Sequence, residues 1–246
     1  MRLKIPALVH TNPFTKTFTA GAGQYSAQGH KFGGNGVWNG STHMSIPYVA
    51  GSALDFGNTD RWSVALFFFI PTGIGGGNHR IIGTRSADGA AQIGWSLFYR
   101  ETNLDIRREL ADGTTDTQVH TGDLPKDTWL SVVATKDNTA TREGMEIYID
   151  KVGGATQAGT NLAGSLSNTN DTVIGAETDF GGILPNGIKT AWLTVIGATV
   201  NQAWVDKFHD GLIDKSDGNT EIFTIPFTDN LWNFENNLTT GMCRTD

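Results

Sequence analysis

Short runs of hydrophobic residues, separated by turn residues, recur along most of the chain. The run Trp62–Ile70 is almost entirely aromatic and aliphatic, and it ends at Pro71 in front of a glycine cluster. Such a run, bounded by turn residues, is typical of a buried strand. Other runs of strand length are residues 95–99, 104–110, 129–135, 145–150, 172–175 and 188–196. Their spacing predicts an all-β protein, a sandwich of two antiparallel sheets.

The segment 104–110 alternates between apolar and charged positions. Apolar residues share one side of it (Leu104, Ile106 and Leu110), and charged residues share the other (Asp105, Arg107 and Glu109). Because side chains of a strand point alternately to its two faces, this pattern predicts a strand with one face outward. The run before it, 95–99, is predicted to be its neighbour.

One segment near the C-terminal end has helical periodicity instead. Trp204, Val205 and Phe208 are spaced to lie on one side of a helix, and Thr199 or Asn201 is a candidate cap. We expect one short helix near residues 201–210.

Composition narrows the classes of partner. The 31 glycines and 31 threonines suit turns and strands better than long helices. A net charge of −7 without a basic block argues against nucleic acid, and no apolar run is long enough for a membrane helix. The start of the chain has no recognisable secretion signal, and the single cysteine, Cys243, cannot form an internal disulfide.

Several short motifs, in order along about residues 30–212, resemble those of laminin-G-like or concanavalin A-like jelly-roll domains. The type is the short one that is frequent in bacterial and phage surface proteins. The motifs are His30-Lys-Phe-Gly33, Trp38-Asn-Gly-Ser41, Trp62-Ser-Val64, Gly94-Trp-Ser-Leu97, Trp129-Leu-Ser-Val-Val133 and Ile147-Tyr-Ile-Asp150. The chain departs from the family at Trp38-Asn39, where Phe-Asp is usual, and at Lys151, where glycine is usual.

The resemblance implies two curved antiparallel sheets in a jelly-roll sandwich, with a shallow groove on one face. Residues 26–246 would form this domain, and residues 1–25 an extended arm or edge strand. Trp232 and Phe234 would belong to a closing strand. The family includes glycan-binding, protein-binding, glycan-cleaving and structural members, so the fold does not choose among them.

Catalysis is not expected. Related glucan-cleaving enzymes carry Glu-x-Asp-x-Glu on one strand, whereas Tyr148 stands between Glu146 and Asp150 here. Four strand residues separate these carboxylates by roughly 13 Å, too far for a glycosidase pair. The six histidines lack zinc-binding spacing. No cofactor is predicted, although segments 112–116 and 168–171 offer oxygen ligands for calcium.

Two functions remain open. The first is a structural or decoration protein of a bacteriophage virion, in contact with other virion proteins or copies of itself and attached to the host surface. The alternative is a carbohydrate- or receptor-binding, lectin-like module. The expected location is a virion, and the alternative location is the cytoplasm or a cell surface. The module's candidate binding face consists of Asp105, Arg107, Glu109, Glu146 and Tyr148, where tyrosine would stack on a sugar ring and the charged groups would bind hydroxyls.

Overall fold

The computed structural model describes residues 15–17, 24–30, 33–38, 40, 43–52, 54–74, 77–85, 92–100, 102–110, 115–120, 122–138, 144–154, 166, 168–176, 182–210 and 221–225. In this part of the chain no helix is long and apolar enough to cross a membrane. The elements in chain order are β1 (Thr15–Thr17), β2 (Gln24–His30), β3 (Gly33–Val37), β4 (His43–Ile46), β5 (Trp62–Phe69), β6 (Asn78–Gly83), β7 (Gly94–Arg100), β8 (Asn103–Glu109), β9 (Thr115–His120), β10 (Trp129–Lys136), β11 (Met145–Ile149), β12 (Val152–Gly153), β13 (Thr172–Ile174), β14 (Lys189–Ile196), α1 (Gln202–Asp210) and β15 (Glu221–Ile225).

The strands form two antiparallel sheets, which confirms the predicted all-β sandwich. The first sheet has the strand order β1-β4-β13-β6-β7-β8-β9. The second has the order β12-β11-β10-β5-β14-β3-β2, and β15 also pairs with β14. The predicted neighbours β7 and β8 pair over their whole length, from Gly94 opposite Glu109 to Arg100 opposite Asn103. The long apolar strand β5 lies inside the second sheet, between β10 and β14.

The main core fills the space between the two sheets. Alternate residues point into it, among them Leu66 and Phe68 from the second sheet and Leu97 and Ile106 from the first. Each of these four side chains is fully buried. Burying a side chain of this size contributes roughly 1.5–3 kcal/mol, so the many buried side chains of this layer stabilise the fold strongly.

Two cations lie at one end of this interior, where the alternation would place apolar residues. Arg108 follows Ile106 on the inward face of β8, and Lys136 ends β10; both side chains are fully buried. Arg108 Nη1 donates to Asn58 Oδ1 at 2.8 Å, and Lys136 Nζ donates to the carbonyl oxygen of Asp137 at 2.7 Å. Burial, together with the Arg108 charge, lowers the pKa of Lys136 to about 8.

The helix covers part of the outer face of the second sheet. It spans Gln202–Asp210, as predicted, and Asn201 is its cap, because Trp204 N donates to Asn201 Oδ1 at 3.0 Å. Trp204 and Phe208 face the sheet, where Phe208 stacks on Phe67 with ring centroids 4.8 Å apart. A second apolar cluster therefore lies outside the sandwich, beneath the helix.

Close packing between the loops depends on Gly175, which follows β13. Its φ is +84°, and a Cβ there would lie within 3.0 Å of three ring atoms of Trp38. The Trp38 indole Nε1 donates to Thr190 Oγ1 at 3.0 Å, which fixes the ring. Only glycine fits this backbone conformation and this space.

The N-terminal part contributes edge strands in the described residues. β1 pairs with β4, and β2 pairs with β3. β2 runs across the predicted boundary at residue 25, and the division into an arm and a domain stays a prediction. Trp232 and Phe234 lie outside the described residues; the described strand that follows the helix and pairs with β14 is β15.

Candidate functional site

The three candidate residues on β8 lie on the outer face of the first sheet, in a buried layer of ion pairs. Asp105 is fully buried, with Arg100 Nε 2.6 Å and Arg107 Nη2 3.5 Å from its Oδ2; these contacts are ion pairs and not aligned hydrogen bonds. Burial raises the pKa of Asp105, and the Arg100 charge opposes this only in part. Glu109 Oε2 accepts from Arg85 Nη2 at 2.9 Å.

Phe98 lies at the centre of this layer. The guanidinium carbons of Arg80 and Arg107 are each 5.1 Å from its ring centroid, and that of Arg85 is 6.0 Å away. Phe98 and Arg80 are buried to 1% and 0% exposure. In the described residues, the outer face of β6, β7 and β8 is therefore a packed layer of cations around an aromatic ring.

Glu146 and Tyr148 lie elsewhere, on β11 at the outer face of the second sheet. Tyr148 belongs to the apolar cluster beneath the helix and is 8% exposed. Its hydroxyl donates to Glu146 Oε2 at 2.5 Å. Burial raises the pKa of Tyr148, and the hydrogen bond to Glu146 and the charge of that carboxylate raise it further.

The prediction of one continuous binding face is therefore wrong in its geometry. Asp105, Arg107 and Glu109 belong to one sheet and Glu146 and Tyr148 to the other, on opposite outer faces of the sandwich. Alternation along each strand correctly placed them away from the core. It could not show that other parts of the protein cover them. A binding role for these five residues stays a prediction.

A serine, a histidine and an aspartate meet at the end of the helix. Ser131 Oγ lies 2.7 Å from His209 Nδ1, and Asp150 Oδ1 lies 3.6 Å from the same nitrogen. In a catalytic triad the acid and the nucleophile bind opposite ring nitrogens of the histidine. Here both contact Nδ1, and Ser131 is only 3% exposed. This group therefore fastens the helix to β10 and lacks the geometry of a hydrolase.

A small surface cleft in the described residues lies at the ends of strands β4, β6 and β13 of the first sheet. We call it the polar cleft. Its lining includes the apolar residues Phe56 and Leu166 and several residues that can form hydrogen bonds: Tyr48, Asp55, Thr84, Asn168 and Asn170. It is a shallow depression with room for little more than one water molecule, so a ligand would lie on it and not inside it.

One wall of the polar cleft follows β4. Tyr48 is half-buried; its backbone N donates to Asp171 Oδ1 at 2.9 Å, and its hydroxyl contacts Asp55 Oδ2 at 3.4 Å. Asp55 Oδ2 also accepts from the backbone N of Gly51 at 3.0 Å. These bonds hold the tyrosine ring and the aspartate in fixed positions beside the cleft.

The other wall precedes β13. Asn168 Nδ2 donates to the carbonyl oxygen of Ile93 at 2.7 Å, and Asn168 Oδ1 accepts from the backbone N of Asn170 at 2.8 Å. Asn170 Nδ2 donates to the carbonyl oxygen of Thr84 at 3.2 Å. Asn168 is thus a structural residue, whereas Asn170 keeps its side-chain oxygen available to a ligand.

The sequence prediction missed most of this cleft. The sequence indicates oxygen ligands for calcium in segment 168–171, and it carries no signal for Tyr48, Asp55 or Thr84. In the described residues no group of three or more His, Cys, Asp or Glu side chains is arranged to hold a metal ion. Calcium binding stays a prediction, and part of segment 112–116 lies outside the described residues.

Several solved structures have a fold similar to that of this chain. The binding domain of Paraclostridial Mosquitocidal Protein 1 superposes with a TM-score of 0.59 and 11% identity, over 80% of this chain and 47% of that one. The botulinum neurotoxin serotype G binding domain gives 0.59 and 14%, over 80% and 46%. The chain shares a β-sandwich fold with about half of each of these domains. The receptor binding domain of botulinum neurotoxin D gives 0.53 and 13%, over 77% and 48%.

These likenesses concern the β-sandwich alone, because the identities are low. The chain spans about half the length of each of these solved structures. No family model matches the chain. No curated protein matches it either.

Proposed function

We propose that the chain is a glycan-binding module without catalytic activity, and that its ligand lies on the polar cleft. The observation that carries the proposal is the combination, in one cleft, of the half-buried ring of Tyr48 with the oxygens of Asp55 and Asn170. An aromatic face accepts the C–H surface of a sugar, while amide and carboxylate groups bind its hydroxyls. This is the predicted lectin-like alternative, at a different place from the one predicted.

Preorganisation supports the proposal. The side chain of Asp55 accepts a hydrogen bond from the backbone N of Gly51, and that of Asn170 donates one to the Thr84 carbonyl oxygen, so little side-chain entropy is lost when a ligand binds. The solved structures with this fold are described as binding or receptor-binding domains, which favours a binding role. The non-enzymatic assignment rests on the unsuitable geometry of Ser131, His209 and Asp150 and on the pairing of Glu146 with Tyr148.

The virion role stays a prediction without an observation of its own, as does the assignment to the laminin-G-like type of phage and bacterial surface proteins. A location in a virion, in the cytoplasm or at a cell surface likewise stays a prediction. Mass spectrometry of purified particles would test the virion role directly.

A glycan array, followed by calorimetry on the best ligand, tests the proposed function. We expect Tyr48→Ala to weaken binding at least tenfold, which corresponds to about 1.4 kcal/mol. Tyr48→Phe keeps the ring and should lose less. Asn170→Ala should weaken binding to a similar degree, whereas the matched control Thr169→Ala changes an exposed neighbour outside the cleft and should leave binding unchanged.

Two results would contradict the proposal. One is an array without any bound glycan. The other is a bound glycan whose affinity is the same in Tyr48→Ala, Asn170→Ala and Thr169→Ala, since the ligand would then lie outside the cleft.

A further inference from the structure

A row of partly exposed side chains crosses the outer face of the second sheet, beyond the end of the helix. Trp129 on β10 is opposite Phe69 on β5, and Phe69 is opposite Lys189 on β14. All three side chains are half-buried. We call this row the aromatic strip. Two strand spacings make it roughly 10 Å long.

The members of the strip are in contact. The Trp129 and Phe69 ring centroids are 5.6 Å apart, at an interplanar angle of 53°. Lys189 Nζ lies 4.8 Å from the Phe69 ring centroid, within the distance of a cation–π contact. One positive charge thus lies over the Phe69 ring, next to the partly exposed side chain of Trp129, on a rigid sheet.

The charge of Lys189 is available to a ligand. The structure gives its ammonium group a contact with the Phe69 ring and, within the described part of the chain, no carboxylate. The carboxylate of Asp127, just before β10, does have hydrogen-bond partners: it accepts from the backbone N of Thr72 at 2.9 Å and also contacts the Thr72 hydroxyl. The strip therefore complements a negative group next to an apolar surface.

A β-bulge brings another aromatic side chain to the same face. The pairing of β14 with β5 shifts between Ala191 and Thr194, and Trp192 there has a φ of +52°. Ala191 and Trp192 consequently both pack with the outer cluster, whereas strict alternation would point one of them inward. A left-handed backbone conformation costs an L residue about 1–2 kcal/mol. The Trp192 indole therefore faces outward although its backbone conformation is strained.

We infer that the aromatic strip is a second binding site, separate from the polar cleft, for a sugar that carries a carboxylate. The apolar ring face of such a sugar packs on Trp129, beside Phe69, and its carboxylate pairs with the Lys189 ammonium that lies over Phe69. A peptide fits less well, because its backbone groups need partners. Strands β5, β10 and β14 are all paired on both sides and offer none.

The test is a pair of matched oligosaccharides: a tetrasaccharide of uronic acid units, and the same tetrasaccharide with its carboxylates reduced to alcohols. We expect the wild-type protein to bind the acidic form at least tenfold more tightly, and Lys189→Met to abolish this preference. Lys126→Met is the matched control, because Lys126 Nζ also lies over an aromatic ring, 5.2 Å from the Tyr99 centroid, outside the strip. This control should retain the preference. Thermal melting of each variant would check that it is folded.

Failure of this inference is distinguishable from failure of the proposed function, because Tyr48→Ala should leave binding of the acidic tetrasaccharide unchanged. Equal binding of the two tetrasaccharides, binding of neither, or an acidic preference that survives Lys189→Met would overturn the inference. Binding of a polyglutamate peptide as tight as that of the acidic sugar, and lost in Lys189→Met, would also overturn it and identify an acidic peptide as the occupant.

Discussion

Replacing Lys136 with methionine should stabilise the protein at neutral pH and remove a pH dependence of its stability. Lys136 is fully buried, and its pKa is lowered from 10.5 to about 8, first by burial and then by the nearby Arg108 charge. The charges of Asp137 and Asp60 oppose these effects only in part. One pKa unit corresponds to about 1.36 kcal/mol, so keeping Lys136 charged in the folded state lowers the free energy of unfolding by about 3 kcal/mol compared with a lysine of normal pKa.

The sign of the pH dependence follows from proton binding. Between pH 8 and 10.5 the unfolded chain keeps the Lys136 proton while the folded chain releases it, so the free energy of unfolding rises with pH. From pH 7.5 to 9.5 we expect the wild-type protein to gain about 2 kcal/mol through this group. Below pH 8 both states bind the proton, and the full cost of the buried charge is present.

Urea denaturation of the wild type and of Lys136→Met, measured between pH 7.5 and 9.5, would test this. The difference between the two proteins isolates Lys136, because other titrating groups are common to both. Staying below pH 10 avoids the ionisation of tyrosines in the unfolded chain. Methionine keeps most of the volume and loses the hydrogen bond to the Asp137 carbonyl, so the gain at pH 7.5 should be below 3 kcal/mol. Parallel stability curves for the two proteins would refute the reasoning.

Two further changes test packing and capping. Gly175→Ala should lower the free energy of unfolding by at least about 2 kcal/mol, because it adds a clash with Trp38 to left-handed strain. Gly73→Ala is its control, with a φ of +85° and no atom within 4 Å of the new Cβ, and an equal loss in both variants would rule out the clash. Asn201→Ala should cost about 1 kcal/mol in thermal or urea unfolding, whereas Asn201→Asp, which still caps the helix, should cost little; equal losses would argue against the cap.

The sequence predicted the interior strands well because their patterns are strong. β5 is a continuous apolar run, and in β10 and β14 apolar residues also predominate. β6 was missed, since its sequence, NHRIIG, is short and carries Arg80, which the structure buries. A period-2 pattern also hides exceptions: Arg108 occupies an inward position of β8 that the alternation assigns to an apolar residue.

The site was harder to predict, for two physical reasons. Alternation places Asp105 and Tyr148 away from the core, but whether an outward face is open depends on what packs over it. Tyr148 is buried in the apolar cluster that also contains the helix residues Trp204 and Phe208. The polar cleft combines Tyr48, Thr84 and Asn168, which are far apart in sequence and share no period. The sequence indicates only one part of the cleft, the cluster of Asn and Asp residues before β13, and such residues are also common in ordinary turns.

The order of strands in the second sheet has a consequence for biosynthesis. β5, an uncharged strand with the sequence WSVALFFF, pairs with β10, which begins at residue 129, and with β14, which begins at residue 189. At roughly 5–20 residues per second, a ribosome that has made β5 needs about 6–24 s to synthesise the chain up to the start of β14. During this interval the strand has the composition of an aggregation-prone segment and lacks its final partner. A chain that terminates before residue 189 should therefore be retained by chaperones or form insoluble aggregates.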